Sequence, residues 1–347
     1  MKVARLIAVL GLTAVCLSGC GSRRPVLRIY IWADYLAPEI VADFERVSSC
    51  RVKIDTFDSN ETMYAKLKEG GASYDLVVPS SYQVSIMIQN NMLQPLNKEL
   101  LPNVIANFDS SYRNVVLNPK MTHSVPYAFS CTGIAYRKDK VGGVAIDSWD
   151  CLGNPAFAGR GSLLDDYREV IGAALKSLGY SLNTTNSEEI QKAKEVVLRW
   201  KKNAFKFDNE AYKTSLANGE FDIVHGYNCD ILQVMVHDEE NIVFAFPKEG
   251  FAVSCDEMII PVNAKAVDLA HAFINFLYVP DNAARNIQHT CAPMPNIQGL
   301  AKLSEKYRAF PTLLPFPEIM AKSEVIKYLG AADALYTKAW EEIMAAE

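Results

Sequence analysis

The chain has 347 residues, with 35 Lys and Arg against 40 Asp and Glu for a formal net charge of −5, and 50% of its residues are hydrophobic. That length allows two domains with sizeable cores. A mildly acidic balance with no basic run argues against nucleic acid as a partner and against an electrostatic membrane patch.

The N-terminus reads as an export signal. Lys2 and Arg5 give a positive start, Leu6 to Leu17 form a short apolar stretch, and Ser18 and Gly19 are small residues leading into Cys20. The apolar run is too short to span a bilayer. Leu17-Ser18-Gly19-Cys20 resembles the lipobox of bacterial lipoproteins, which implies a signal peptide over 1–19, lipid on Cys20 and a tether over 20–25. No later segment approaches bilayer length, so that lipid is expected to be the only anchor, on the extracytoplasmic side of a bacterial membrane. Cys50, Cys131, Cys151, Cys229, Cys255 and Cys291 remain. Six cysteines in an exported chain permit fifteen disulfide connectivities, and buried free thiols are equally open.

Val26 to Ile31 reads as a first strand, Pro38 to Val47 as a helix and Arg51 to Phe57 as an alternating strand. Ser59 or Asn60 caps a helix that Gly70-Gly71 ends, and Asp75 to Pro79 is a short buried strand. Past Gly133 the pattern restarts with a strand over Gly161 to Leu164 and a helix whose acidic start holds Asp165, Asp166 and Glu169. Glu188 to Lys202 is an amphipathic helix, Phe221 to Val224 and Ile242 to Phe246 are strands, and Met258 to Pro261 precedes a helix over Lys265 to Tyr278. Strand and helix alternate throughout, which favours α/β layers. Asn60-Glu61-Thr62 matches a glycosylation sequon but is discounted behind a bacterial lipobox.

Candidate ligand groups gather just beyond strand ends, where ligands bind in open α/β sheets. They are Trp32, Asp34 and Tyr35; Ser80, Ser81 and Tyr82; Asp165, Asp166 and Glu169; Tyr227; and Asp256 with Glu257, ahead of the strand at Met258. Singly, each has a structural explanation: the aspartates as helix caps, Trp32 and Tyr35 as core, the serines as turn residues. Together, acids interleaved with aromatics suit an organic cation, because carboxylates bind ammonium groups and ring faces cover its charge and methylenes.

At these residues the chain resembles the bacterial spermidine/putrescine-binding proteins, the soluble receptors of polyamine ABC importers. The resemblance rests on Tyr30-Ile-Trp-Ala-Asp-Tyr35, Ser59-Asn-Glu-Thr-Met-Tyr-Ala-Lys-Leu-Lys68, Tyr74-Asp-Leu-Val-Val-Pro-Ser80, the segment Gly161 to Val170, Pro247-Lys-Glu-Gly250 and Ile274-Asn-Phe-Leu277. It runs in order through nearly all of the chain after the leader. It implies a two-lobed type II periplasmic binding protein, each lobe a mixed sheet flanked by helices, with the ligand in the cleft between lobes. The lobes are expected over 26–132 with 257–305 and over 133–256 with 306–347. The implied ligand contacts are Trp32, Asp34, Tyr35, Ser80, Tyr82, Asp166, Glu169, Tyr227 and Asp256. Tyr227 replaces a usual tryptophan, while Ser254, Ala292 and Ile326 stand where the family usually has tryptophan, tyrosine and glutamine. Loss of that wall favours the short diamine putrescine over spermidine.

The expected partners are a polyamine and the membrane permease of an ABC importer, with the chain itself a monomer. A surface lipoprotein that senses polyamines or other cations without transport is the alternative. An enzyme is not expected. His123, His225, His237, His271 and His289 are scattered, His225 with Cys229 is too few ligands for a metal site, and there is no nucleophile elbow or P-loop. Neither cofactor nor metal is expected.

Overall fold

The computed structural model describes residues 24–70, 73–313, 315 and 317–346, so the expected leader and Cys20 lie outside the described residues. Ten strands make one mixed sheet: β1 (Val26–Trp32), β2 (Arg51–Phe57), β3 (Leu76–Val77), β4 (Ser124–Arg137), β5 (Gly161–Leu163), β6 (Lys206–Phe207), β7 (Ile223–Tyr227), β8 (Ile242–Ala245), β9 (Phe251–Ile259) and β10 (Ser323–Val325). The path runs β2-β1-β3-β9-β4-β7-β5-β6, with β10 beside β9 and β8 beside β4.

β1 buries Leu27, Ile29 and Ile31 on one face and lies parallel to β2 from Val26↔Arg51 to Trp32↔Phe57. β3 lies parallel on its other side. In the other half, β5 is parallel to both β6 and β7.

β4 and β9 join the two halves. The sequence patterning did not mark β4, because its first twelve residues are all buried and so carry no period-two signal. Its first part runs antiparallel to β9, and its second part runs antiparallel to β7 and β8. The register slips at Pro126, which has no N–H to give the ladder. Gly133 lies where the strand changes partners, and a Cβ there would sit 2.5 Å from the Phe244 ring and 2.7 Å from the Ala245 carbonyl oxygen. β9 begins at Phe251, not at Met258, so Asp256 lies within a strand opposite Ala128.

Two large cores flank this sheet. One packs Leu27, Ile29, Phe44, Met258, Phe273 and Ile287. The other packs Ile134, Trp149, Val170, Trp200, Tyr212 and Ile343. The C-terminal helix Asp333–Ala345 joins the second core through Tyr336, Ala339 and Ile343. Trp149 and Trp200 are fully buried, and truncating either to alanine would cost about 3–5 kcal/mol. His225 lies edge-on to Trp149 at 5.0 Å, whereas Cys229 packs into the first core. Burial pushes the His225 imidazole down to about 3, so it stays neutral. The six cysteines are all buried free thiols.

Candidate functional site

The parallel strands aim their carboxyl ends at one place. Trp32 ends β1, Phe57 ends β2 and Ser80 follows β3, while from the other half Asp165 and Asp166 follow β5, Asn209 follows β6 and Tyr227 ends β7. These residues enclose a cavity of about 270 Å³, which all nine residues of the expected contact set line. A second cavity of about 270 Å³, beside Tyr64, Met87 and Val262, has no carboxylate side chain among its lining residues.

Asp256 enters from β9. Its Oδ1 accepts from Ser80 Oγ at 2.8 Å and its Oδ2 accepts from Tyr35 Oη at 2.9 Å. Ser80 is itself held, because its backbone N–H donates to Asn60 Oδ1 at 3.2 Å. The Asn60 amide also donates to Tyr82 Oη at 3.0 Å. The Tyr35 ring meets Tyr127 edge-on at 5.4 Å. Burial pushes the Asp256 carboxyl up to about 6 against the opposing pull of the two hydroxyls. Strand alternation turns the next residue, Glu257, away from the cavity, where the Ser81 and Ser124 hydroxyls bind its carboxylate.

Asp166 caps the helix Tyr167–Ser177, its Oδ1 accepting from the backbone N–H groups of Arg168 at 2.8 Å and Glu169 at 3.1 Å. Its other oxygen accepts from Tyr227 Oη at 3.4 Å. Glu169 lies one helical turn on, 3% exposed, and accepts from Thr132 Oγ1 of β4 at 2.7 Å. Burial first, then the charge of Asp166, push the Glu169 carboxyl up to about 8, and burial raises Asp166 as well. Trp32 lies against Phe57 with centroids 4.4 Å apart, adding an aromatic wall.

Asp34 sits differently from the other expected contacts. It adopts a left-handed backbone (φ 54°), its side chain is 69% exposed, and its carboxylate pairs with Lys213 at 3.1 Å. Lys213, Asp230 and Glu61 also line the cavity, and reading the sequence did not single them out. Glu61 stands in the first turn of the helix Asn60–Lys68. The residue as a whole is exposed, yet desolvation and the charge of Asp166 push its carboxyl up to about 7. Of the substituted wall positions, Ser254 lines the cavity and bonds Ser130 Oγ at 2.8 Å, and Ile326 lines it while packed on Tyr82. Ala292 does not line it and packs into the first core.

Among the described lining residues, nine are acidic and one, Lys213, is cationic, so the cavity selects for positive charge. The Cys229 thiol in its wall is pushed well above the usual range by burial, which leaves it a poor nucleophile.

The model of the bacterial extracellular solute-binding proteins matches residues 39–313. The chain belongs to this family. As a solute-binding protein it is 34% identical over 321 residues to the spermidine/putrescine-binding periplasmic protein of Escherichia coli, covering 92% of this chain and 91% of that one. It is 33% identical over 335 residues to the putrescine-binding periplasmic protein SpuD of Pseudomonas aeruginosa, again covering 92% and 91%. The crystal structure of the Tp0655 (TpPotD) lipoprotein of Treponema pallidum superposes with a TM-score of 0.82 at 34% identity, covering 92% of this chain and 99% of that one. The fold is therefore the two-lobed type II binding-protein fold, a mixed α/β sheet with the cavity where its two halves meet.

Proposed function

We propose that this solute-binding protein captures a linear polyamine, putrescine or spermidine, outside the cytoplasm and hands it to the permease of an ABC importer without chemical change. The observation that carries this reading is the acid-rich, aromatic-walled cavity lined by Trp32, Asp34, Tyr35, Ser80, Tyr82, Asp166, Glu169, Tyr227 and Asp256. The names of the two relatives and the identity over nearly the whole chain support it.

In this account Asp256 binds one ammonium group, with Tyr35 and Ser80 fixing its orientation, and Asp166 with Glu169 bind another. Trp32, Tyr82 and Tyr227 cover the methylenes and offer ring faces to the charge. The lobes, 26–132 with 257–305 and 133–256 with 306–347, close over the ligand about β4 and β9. Cleavage before Cys20 and its lipidation tether the chain, as a monomer, to the extracytoplasmic side of a bacterial membrane.

A melting scan with putrescine, spermidine, amino acids and sugars tests the reading. A ligand that binds only the folded state stabilises it by roughly 2.7 kcal/mol at a hundredfold excess over Kd. A raised Tm with the amines alone is expected. No shift with any amine would contradict the proposal.

A further inference from the structure

We infer that Lys213 is a built-in ammonium that occupies one amine position of the cavity and thereby selects against polyamines with a third charged nitrogen. The inference rests on the polyamine reading above and goes further by naming the residue that sets ligand choice.

Lys213 comes from the short helix Tyr212–Ala217, and its side chain is 14% exposed. Its Nζ lies 3.1 Å from Asp34 Oδ2, 2.8 Å from Gln233 Oε1 and 3.8 Å from Asp230 Oδ1. Asp34 belongs to the segment after β1, whereas Asp230 and Gln233 lie on the helix Asn228–Met235. The other Asp230 oxygen accepts from Tyr212 Oη at 2.7 Å, and Tyr212 Oη in turn accepts from the Tyr227 backbone N–H at 3.1 Å. That last bond ties the lysine's surroundings to the aromatic wall. Burial opposes the lysine's charge, but Asp230 and Asp34 more than offset it and raise its pKa, so Lys213 stays protonated.

The lysine thus makes the contacts a ligand ammonium would make, with two carboxylates and an amide oxygen around one cation. Asp256 and the Asp166–Glu169 pair are left for the ligand, enough for a diamine. A third ligand nitrogen that reached Asp34 or Asp230 would meet Lys213 at like charge a few ångströms away. That is selection by repulsion as well as by fit.

Calorimetry with putrescine and spermidine on the wild type, Lys213→Met and Lys213→Gln tests this. Methionine keeps the apolar stem and most of the volume, and both changes leave Asp34 and Asp230 in place. We expect spermidine to tighten at least about tenfold in both variants while putrescine changes less than about twofold. A uniform field acting on three charges against two would instead give roughly fivefold for putrescine beside tenfold for spermidine, and that ratio would overturn the inference. Unchanged selectivity in variants that melt cooperatively would also overturn it, as would failure of both variants to fold, which would make Lys213 a structural strut. Wild type that binds neither amine would overturn the polyamine reading itself. Wild-type binding with unaltered variant selectivity would overturn this inference alone.

Discussion

Asp256 and Glu169 line the same cavity and are almost equally buried, 7% and 3% exposed, yet they hold protons differently. Asp256 has a hydroxyl donor on each oxygen, and its carboxyl rises only to about 6. Glu169 has one hydroxyl donor and the neighbouring carboxylate of Asp166, and it rises to about 8. At neutral pH the β9 wall therefore presents a standing anion, and the wall from the helix Tyr167–Ser177 keeps a proton until a cation displaces it. Burial alone does not decide the charge of an acid; the groups bonded to it do.

The largest expected effect comes from removing the standing anion. Asp256→Asn should weaken putrescine binding thirtyfold or more, about 2–5 kcal/mol, because a buried ammonium loses its partner. Its unliganded melting should change little. Calorimetry showing wild-type affinity for both Asp256→Asn and Asp166→Asn would mean that neither wall binds the amine.

The second effect is on pH. Glu169 has a folded pKa raised from 4.5 to about 8, so the stability its protonated form contributes is fully present below about 4.5 and lost as pH rises through about 8. The unliganded protein should lose on the order of a few kcal/mol across that window, and Glu169→Gln should flatten the profile. Amine affinity should move the other way, rising between about pH 6 and 8, since ammonium groups stay charged to near pH 10. Melting scans and titrations in steps from pH 5 to 9 check both signs. An unliganded stability that climbs over this range would break the contrast between the walls.

The smallest effect concerns Tyr227, whose hydroxyl reaches Asp166 at 3.4 Å. Tyr227→Phe should keep the ring and cost about 0.5–1.5 kcal/mol of binding, roughly two- to thirteenfold in Kd. A loss as large as that of Asp256→Asn would show that the hydroxyl, not the ring, carries the contact.

Much of this was legible from the chain. Trp32 closes a short apolar strand with Asp34 and Tyr35 just beyond it, and Asp166 combines a helix cap with an acidic first turn, so both places stand out locally. Asp256 stood out only as one of a pair with the equally acidic Glu257, because both sit inside a buried strand, and the strand register is what separates their roles. β4 was missed because a strand buried on both faces loses its alternation. Lys213 was missed for a different reason. It lies in a six-residue helix without a motif, and the carboxylate it pairs with, Asp34, is 179 residues away. Charge partners brought together by tertiary structure leave no local trace.

Native mass spectrometry of the full chain, purified without exhaustive dialysis and then challenged with putrescine, tests the central claim most directly. The account predicts one bound linear polyamine per chain, retained by the wild type and lost from Asp256→Asn. A chain that stays unliganded in excess amine, or that carries a neutral or anionic molecule in the amine's place, would contradict it.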